Sequence, residues 1–97
     1  MENKLIKEKL IKKNGIVFTF QVWTLTGRCV YWGKDALTLS FDIDNDEQLN
    51  FIAELLCDIL KQGKIVDRLT KIVDDDMEEK LNDFDTLVEI LNKYKGE

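Results

Sequence analysis

The stretch ALTLSFDIDNDEQLNFIAELLCDIL, residues 36–60, decides the fold because its hydrophobic period changes part-way along. From Leu37 to Ile43 apolar and polar residues alternate, which is the pattern of a half-buried strand. Asp44 is suited to cap a helix, with Glu47 reaching back to it. The apolar residues that follow fall on one helical face: Leu49, Ile52, Ala53, Leu56, Ile59 and Leu60. A strand therefore leads into a capped helix, and the apolar faces of both must be covered.

The chain before this stretch predicts one helix and two more strands. Residues 2–13 carry a narrow apolar stripe edged by lysines, which indicates a helix that ends at Asn14-Gly15. Residues 16–25, IVFTFQVWTL, are rich in β-branched and aromatic residues and predict a strand. Thr26-Gly27 suits a tight hairpin into a second strand over residues 28–32. With the strand that begins near Ala36, these segments form a three-stranded antiparallel meander.

The turns predict which side chains share a face of this sheet. If Leu25 pairs with Arg28 and Trp32 with Ala36, the alternation of side chains gives two sets. We expect a core face of Phe18, Phe20, Val22, Cys29, Tyr31, Leu37, Leu39 and Phe41. The opposite face then holds Thr19, Gln21, Trp23, Arg28, Val30, Trp32, Thr38 and Ser40.

The last third of the chain predicts further helix. Gly63 closes the central helix, and residues 64–95 contain neither glycine nor proline. Two apolar stripes are separated by Asp74-Asp75-Asp76, so we predict two helices, with one long helix as the alternative. Residues 1–97 are thus expected to form a single α+β domain in which a three-stranded antiparallel meander packs against helices, in the order α-β-β-β-α-α.

The residue types present argue against catalysis. The chain has 97 residues and no histidine, which removes the usual general base and the commonest zinc ligand. There is no nucleophile–base pair, glycine-rich phosphate loop or metal-ligand spacing, so we expect no enzyme activity, no cofactor and no metal. Cys29 and Cys57 are interpreted as small buried hydrophobes rather than as a disulfide. No membrane span or signal peptide is recognisable, and we expect a cytoplasmic protein.

Charge is distributed unevenly along the chain. Residues 1–15 have a net charge of +3, whereas residues 44–97 have a net charge of −8. The net charge of the whole chain is −5. This distribution disfavours direct nucleic-acid binding and favours a basic protein surface as partner. The densest acidic cluster can be a solvated helix start, a phosphate-mimicking patch or, least favoured, a magnesium site. The cluster consists of Asp74, Asp75, Asp76, Glu78 and Glu79.

A second candidate surface is the sheet face that carries Trp23, Arg28, Val30 and Trp32. One interpretation is that the first helix covers these side chains. The other is that they form an interface with a partner or with a second copy, since an uncovered aromatic patch normally marks an interaction site. Stacking of nucleic-acid bases is disfavoured by the acidic chain.

The expected element order resembles that of small acidic anti-CRISPR proteins of phages and prophages. Asn3-Lys4-Leu5-Ile6-Lys7-Glu8 is similar to the opening helix of one such family, and the acidic stretch 74–79 is similar in placement to an acidic segment late in that chain. The resemblance implies a DNA mimic that occupies the motif-recognition groove of a CRISPR nuclease. The acidic turn residues of that family are not matched, since both turns here contain basic groups: Thr26-Gly27-Arg28 and Gly33-Lys34-Asp35.

The sequence thus leads to two main hypotheses. The first is a non-enzymatic acidic inhibitor that binds a nucleic-acid-handling protein by mimicry. The second is a structural or assembly module that self-associates through the aromatic sheet face. A divalent-metal-dependent enzyme is the third and least favoured.

Overall fold

A computed structural model describes residues 2–39, 41–64 and 84–96. Its sheet has four strands in the order β1-β2-β3-β4, each antiparallel to the next. The strands are β1 Leu5–Lys13, β2 Ile16–Trp23, β3 Gly27–Trp32 and β4 Asp35–Leu39. Two described helices follow, α1 Asp46–Lys61 and α2 Phe84–Gly96. The α+β class and the antiparallel meander are confirmed, but the described elements run ββββαα rather than α-βββ-αα.

The predicted first helix is wrong, because residues 5–13 form strand β1. Asn14 and Gly15 have φ values of 50° and 82°, which fit the two-residue hairpin turn favoured by Asn-Gly. This turn pairs Lys13 with Ile16 and continues the pairing back to Leu5 and Trp23. Helix propensity in a lysine- and glutamate-rich segment is a weak preference, and pairing with β2 overrides it.

The predicted register of β3 is also wrong, and its side chains point to the opposite face. Trp23 pairs with Gly27 across a three-residue loop, three positions away from the expected register. Trp32 pairs with Asp35 across a two-residue loop, one position away from the expected register. A register shift by an odd number of residues moves every side chain of a strand to the other face. The side chains of β3 therefore lie on the faces opposite to those predicted, whereas the second odd shift returns those of β4 to the predicted faces.

The sheet therefore has a covered face, which packs on α1, and an open face. Buried side chains on the covered face include Phe18 and Phe20 of β2, Val30 and Trp32 of β3, and Leu37 and Leu39 of β4. The predicted core positions in β2 and β4, and Phe41, are confirmed as facing the core, although Val22 is only half-buried at its margin. The prediction for Cys29 and Tyr31 is wrong, since the observed pairing places both on the open face. Ser40 lies outside the described residues.

Helix α1 lies between the sheet and α2 and contributes to one continuous core. The predicted stripe is confirmed, with Leu49, Ile52, Ala53, Leu56 and Ile59 buried and Leu60 packed at its margin. Helix α2 adds the buried side chains of Leu87, Ile90, Leu91 and Tyr94. Neither described helix is long and apolar enough to cross a membrane.

The ends of α1 differ slightly from the prediction. The cap is Asn45 rather than Asp44, because the Gln48 backbone N–H donates to Asn45 Oδ1 at 3.2 Å. Gly63, with φ of 70°, ends the helix as predicted. The break expected at Asp74-Asp75-Asp76, and the choice between one helix and two over residues 64–95, depend on residues outside those described.

Candidate functional site: the open face of the sheet

The predicted aromatic cluster is divided between the two faces of the sheet. Val30 and Trp32 are buried in the core, and the Phe18 and Trp32 rings lie 5.7 Å apart. Arg28 pairs with Val22 and Leu39 on the same covered face. Trp23 alone of the four predicted residues lies on the open face. Neither of the earlier interpretations therefore describes this cluster, since no first helix covers it and the four side chains do not share a surface.

A different aromatic pair occupies the open face. The pairing of β2 with β3 places Gln21 opposite Cys29 and Thr19 opposite Tyr31, so Trp23, Gln21 and Tyr31 project from the same side. Trp23 and Tyr31 are half-buried. Reading β3 in the correct register would have identified Tyr31, because the three-residue loop before Gly27 determines which face it occupies.

Gln21 is the centre of a hydrogen-bond network on this face. Its side-chain amide donates to Glu8 Oε2 at 2.6 Å and to the Tyr31 hydroxyl at 2.8 Å. Its Oε1 accepts from Trp23 Nε1 at 2.8 Å. Gln21 is 5% exposed, and both amide hydrogens and the carbonyl oxygen are used. The network therefore holds the two aromatic rings in fixed positions before any partner arrives.

Apolar side chains surround this network. Leu10 is 63% exposed and Val17 is 44% exposed, both from the β1–β2 pair, and Leu5 pairs with Trp23 at the far end. None of the described helices packs on this side. Burial raises the pKa of the Cys29 thiol, so the thiol stays protonated at neutral pH and contributes packing rather than nucleophilic chemistry.

The charged residues on the other side of the sheet are largely paired with one another. Lys7 Nζ contacts Asp44 Oδ1 at 2.6 Å, Lys9 Nζ contacts Asp46 Oδ1 at 2.7 Å, and Lys13 Nζ contacts Glu54 Oε1 at 3.4 Å. In addition, Lys95 contacts Asp58. The lysines of β1 thus partly neutralise the acidic loop and helix α1 through ion pairs that stay exposed to solvent.

An acidic groove remains at the start of α1. It has a volume of about 620 Å³ and is lined by Asp42, Asp44, Asn45, Asp46, Glu47 and Gln48. The hydrogen bond from Lys7 holds the pKa of Asp44 below its usual value, and the same bond raises the pKa of Lys7. Among the residues that the structure describes, no three His, Cys, Asp or Glu side chains gather as a metal site would require.

The predicted acidic patch, Asp74, Asp75, Asp76, Glu78 and Glu79, lies outside the described residues. The resemblance to anti-CRISPR proteins loses part of its basis, because residues 5–8 belong to a strand rather than to an opening helix. In the comparisons with known proteins, no family model, curated protein or solved structure matches this chain.

Proposed function

We propose that this chain is a non-enzymatic binding protein that docks onto another protein molecule through the open face of its sheet. The observation that carries the proposal is the asymmetry of the sheet. One face is covered by α1, and the other presents Trp23 and Tyr31 fixed by Gln21 among exposed apolar side chains.

The chemistry of this face suits protein recognition. Tryptophan and tyrosine are the residues that most often dominate the free energy of protein–protein interfaces. Fixing a side chain before binding reduces the entropy that association must remove. Since Gln21 already positions both rings, Trp23 and Tyr31 would bind a partner with little rearrangement.

The apolar side chains beside the network extend this contact area. Leu10 and Val17 are among the large hydrophobic residues that the structure leaves most exposed. Leu10 and Val17 are diagonal neighbours across β1 and β2, and exposed large apolar residues grouped on one face are typical of an interaction surface. Exposed apolar side chains lower the solubility of a protein. In a chain of 97 residues of which 34% are charged, such a patch is therefore unexpected unless it binds a partner.

Site-specific photo-crosslinking in living cells tests the proposal. A benzophenone side chain at position 10 or 17 lies on the open face, and the same group at exposed Lys61 on α1 is the matched control. We expect covalent protein adducts from positions 10 and 17 and few from position 61. Equal adduct formation from all three positions, or none from the open face, would contradict the proposal.

A second candidate function is the acidic inhibitor that acts by mimicry on a nucleic-acid-binding effector such as a CRISPR nuclease. It is supported by the acidic groove at the start of α1 and by the −8 carried by residues 44–97. The pairing of Asp44, Asp46, Glu54 and Asp58 with lysines weakens it, because a mimic needs carboxylates that are free to meet a basic groove.

Titration of the protein into DNA cleavage by purified CRISPR nucleases tests this second function. Inhibition should be salt-sensitive and should disappear when Asp74, Asp75 and Asp76 are all replaced by Asn. The matched control replaces three exposed acids elsewhere, Glu2→Gln, Asp85→Asn and Glu89→Gln, for the same charge change. Retained inhibition by the first triple variant would exclude mimicry through this cluster.

A further inference from the structure

We infer that the occupant of the open face is a second copy of this chain, related to the first by a two-fold axis that crosses the strands at Leu10. The inference rests on the proposed function, since it identifies the partner of the same surface. Its main support is the arrangement of charge on that face.

The open face carries one charge of each sign in the described strands. The pairing of β1 with β2 places Glu8 opposite Gln21, Leu10 opposite Thr19 and Lys12 opposite Val17. Glu8 and Lys12 thus lie on the open side, one on each side of Leu10, whereas Lys7, Lys9 and Lys13 reach α1 and the loop before it. The open face is therefore neutral in a chain whose net charge is −5.

This arrangement is self-complementary. A two-fold axis in the interface plane, perpendicular to the strands at Leu10, reverses strand direction and lays β1 over β1 of the second copy. Glu8 then faces Lys12 of the second copy, and Lys12 faces its Glu8.

The row of side chains on the axis is suited to such contact. Leu10 pairs laterally with Thr19, and Thr19 pairs with Tyr31, so these three side chains cross the sheet together. The axis brings Leu10 against Leu10 and Tyr31 against Tyr31 of the second copy, and Gln21 against Val17. The centre of the contact thus contains Leu10 and Tyr31 with Thr19 between them, and charged side chains flank it on β1.

Pairing of two copies along the edge of the sheet is disfavoured by contrast. Strand β1 is an edge strand, and edge pairing about an axis at Leu10 would set Lys7 against Lys13 of the second copy. Lysines on an edge strand are a common device against such pairing. Face-to-face packing avoids this repulsion.

The size of the face indicates a weak complex. Four strands spaced about 4.8 Å apart, each about seven residues long at 3.3 Å per residue, present a plan area on the order of 450 Å². This area is at the small end of specific interfaces, so we expect a weak, reversible dimer.

Sedimentation velocity on charge-reversed variants tests the inference. The full chain should show a concentration-dependent dimer between about 1 and 500 μM. Glu8→Lys gives two positive positions on the face, and Lys12→Glu gives two negative ones. Each variant alone should associate at least about ten-fold more weakly, because like charges then meet across the axis.

An equimolar mixture of the two variants is the decisive sample. The positive face of one then meets the negative face of the other, and we expect association restored to within about three-fold of the unaltered chain. Lys34→Glu, in the exposed turn between β3 and β4, is the control for net charge and should dimerise normally. Circular dichroism is the check that the Glu8→Lys variant, which loses the hydrogen bond that Gln21 donates to Glu8, is folded like the unaltered chain.

Two outcomes overturn the inference. One is that the unaltered chain is a monomer at 500 μM. The other is that the Glu8→Lys and Lys12→Glu variants, both folded, fail to associate when they are mixed. If the chain is monomeric but position 17 still crosslinks to a different protein, the second copy is excluded and the proposed function stands. If the chain is monomeric and neither position 10 nor position 17 crosslinks to any protein, both fail.

Discussion

The rings of Phe18 and Trp32 pack together on the covered face of the sheet, with centroids 5.7 Å apart and planes inclined by 53°. Both side chains are buried, at 0% and 4% exposure. This contact places Trp32 in the core, across the sheet from Trp23. The two tryptophans should therefore respond differently to substitution.

Replacement of Trp32 is expected to cost stability rather than binding. Truncating a large buried aromatic side chain typically costs about 3–5 kcal/mol, and Trp32→Ser should approach that range. Trp23→Ser, the matched change on the open face, should cost less than about 1.5 kcal/mol, since Trp23 is half-buried. Urea denaturation followed by circular dichroism measures both, and equal losses would contradict the assignment of faces.

The Asn14-Gly15 turn should be sensitive to an added side chain at its second residue. Gly15 has φ of 82°, a conformation that residues with a Cβ adopt at a cost, so Gly15→Ala should destabilise the fold by about 1 kcal/mol. No atom lies within 4 Å of the added Cβ, so the cost is conformational. Gly96→Ala is the control, because Gly96 lacks a positive φ and also has open space. Thermal unfolding should distinguish them, and equal midpoints would be evidence against the strained turn.

The Lys7–Asp44 ion pair should give a pH-dependent contribution to stability. The pKa of Asp44 is lowered in the folded chain by the hydrogen bond from Lys7, so its contribution is present above the usual aspartate pKa of about 3.9. It is lost as the pH falls through the lowered folded pKa. Conversely, the raised pKa of Lys7 means that its contribution is present at neutral pH and lost only as the pH rises through that value.

Lys7→Met measures this effect. The difference in unfolding temperature between the variant and the unaltered chain should be present at pH 7 and shrink at the acid end. NMR titration of the Asp44 carboxyl should show its pKa rising toward the ordinary value in the variant. A control substitution, Lys34→Met, should leave that pKa unchanged, and an unmoved Asp44 in Lys7→Met would refute the pairing.

Gln21 should control the order of the open face. Replacement of Gln21 by Leu keeps its bulk but removes the acceptor for Trp23 and the donors to Glu8 and Tyr31. Net loss of stability should be about 1 kcal/mol, since half-exposed partners can bond to water instead. The indole N–H of Trp23 should exchange with solvent several-fold faster by NMR. Thr38→Val, on the exposed part of the same face, should not change this exchange rate.

Much of the fold can be predicted from local sequence patterns because the spacing of apolar residues reflects which side chains of a strand or helix are buried. The alternation over residues 37–43 and the helical stripe after it identify β4 and α1, although β4 ends at Leu39 and residues 41–45 form a loop into the helix. The prediction of a helix over residues 2–13 failed for a different reason. Leu5, Ile6 and Leu10 fit a helical stripe as well as a strand, and only pairing with β2 decides between them.

The candidate site was harder to predict because it depends on loop length. A difference of a single residue in a hairpin exchanges the two faces of the next strand. Tyr31 and Trp32 are neighbours in β3 and point to opposite faces. A register error by an odd number of residues therefore puts Trp32 on the open face in place of Tyr31. The Asn14-Gly15 dipeptide is the signal that would have corrected the first segment, because it favours a hairpin as strongly as it favours a helix end.

The order of the elements also has a consequence for synthesis on the ribosome. All four strands emerge before α1, and each pairs with its neighbour in sequence, so the meander can begin to form early. Until residues 46–61 leave the exit tunnel, however, the apolar side of that meander has no cover. The nascent chain therefore passes through an interval in which Phe18, Phe20 and Trp32 are accessible to chaperones and to neighbouring nascent chains. A ribosome stalled just after β4 should display a chaperone-bound product, and chaperone binding should weaken once α1 has also left the tunnel.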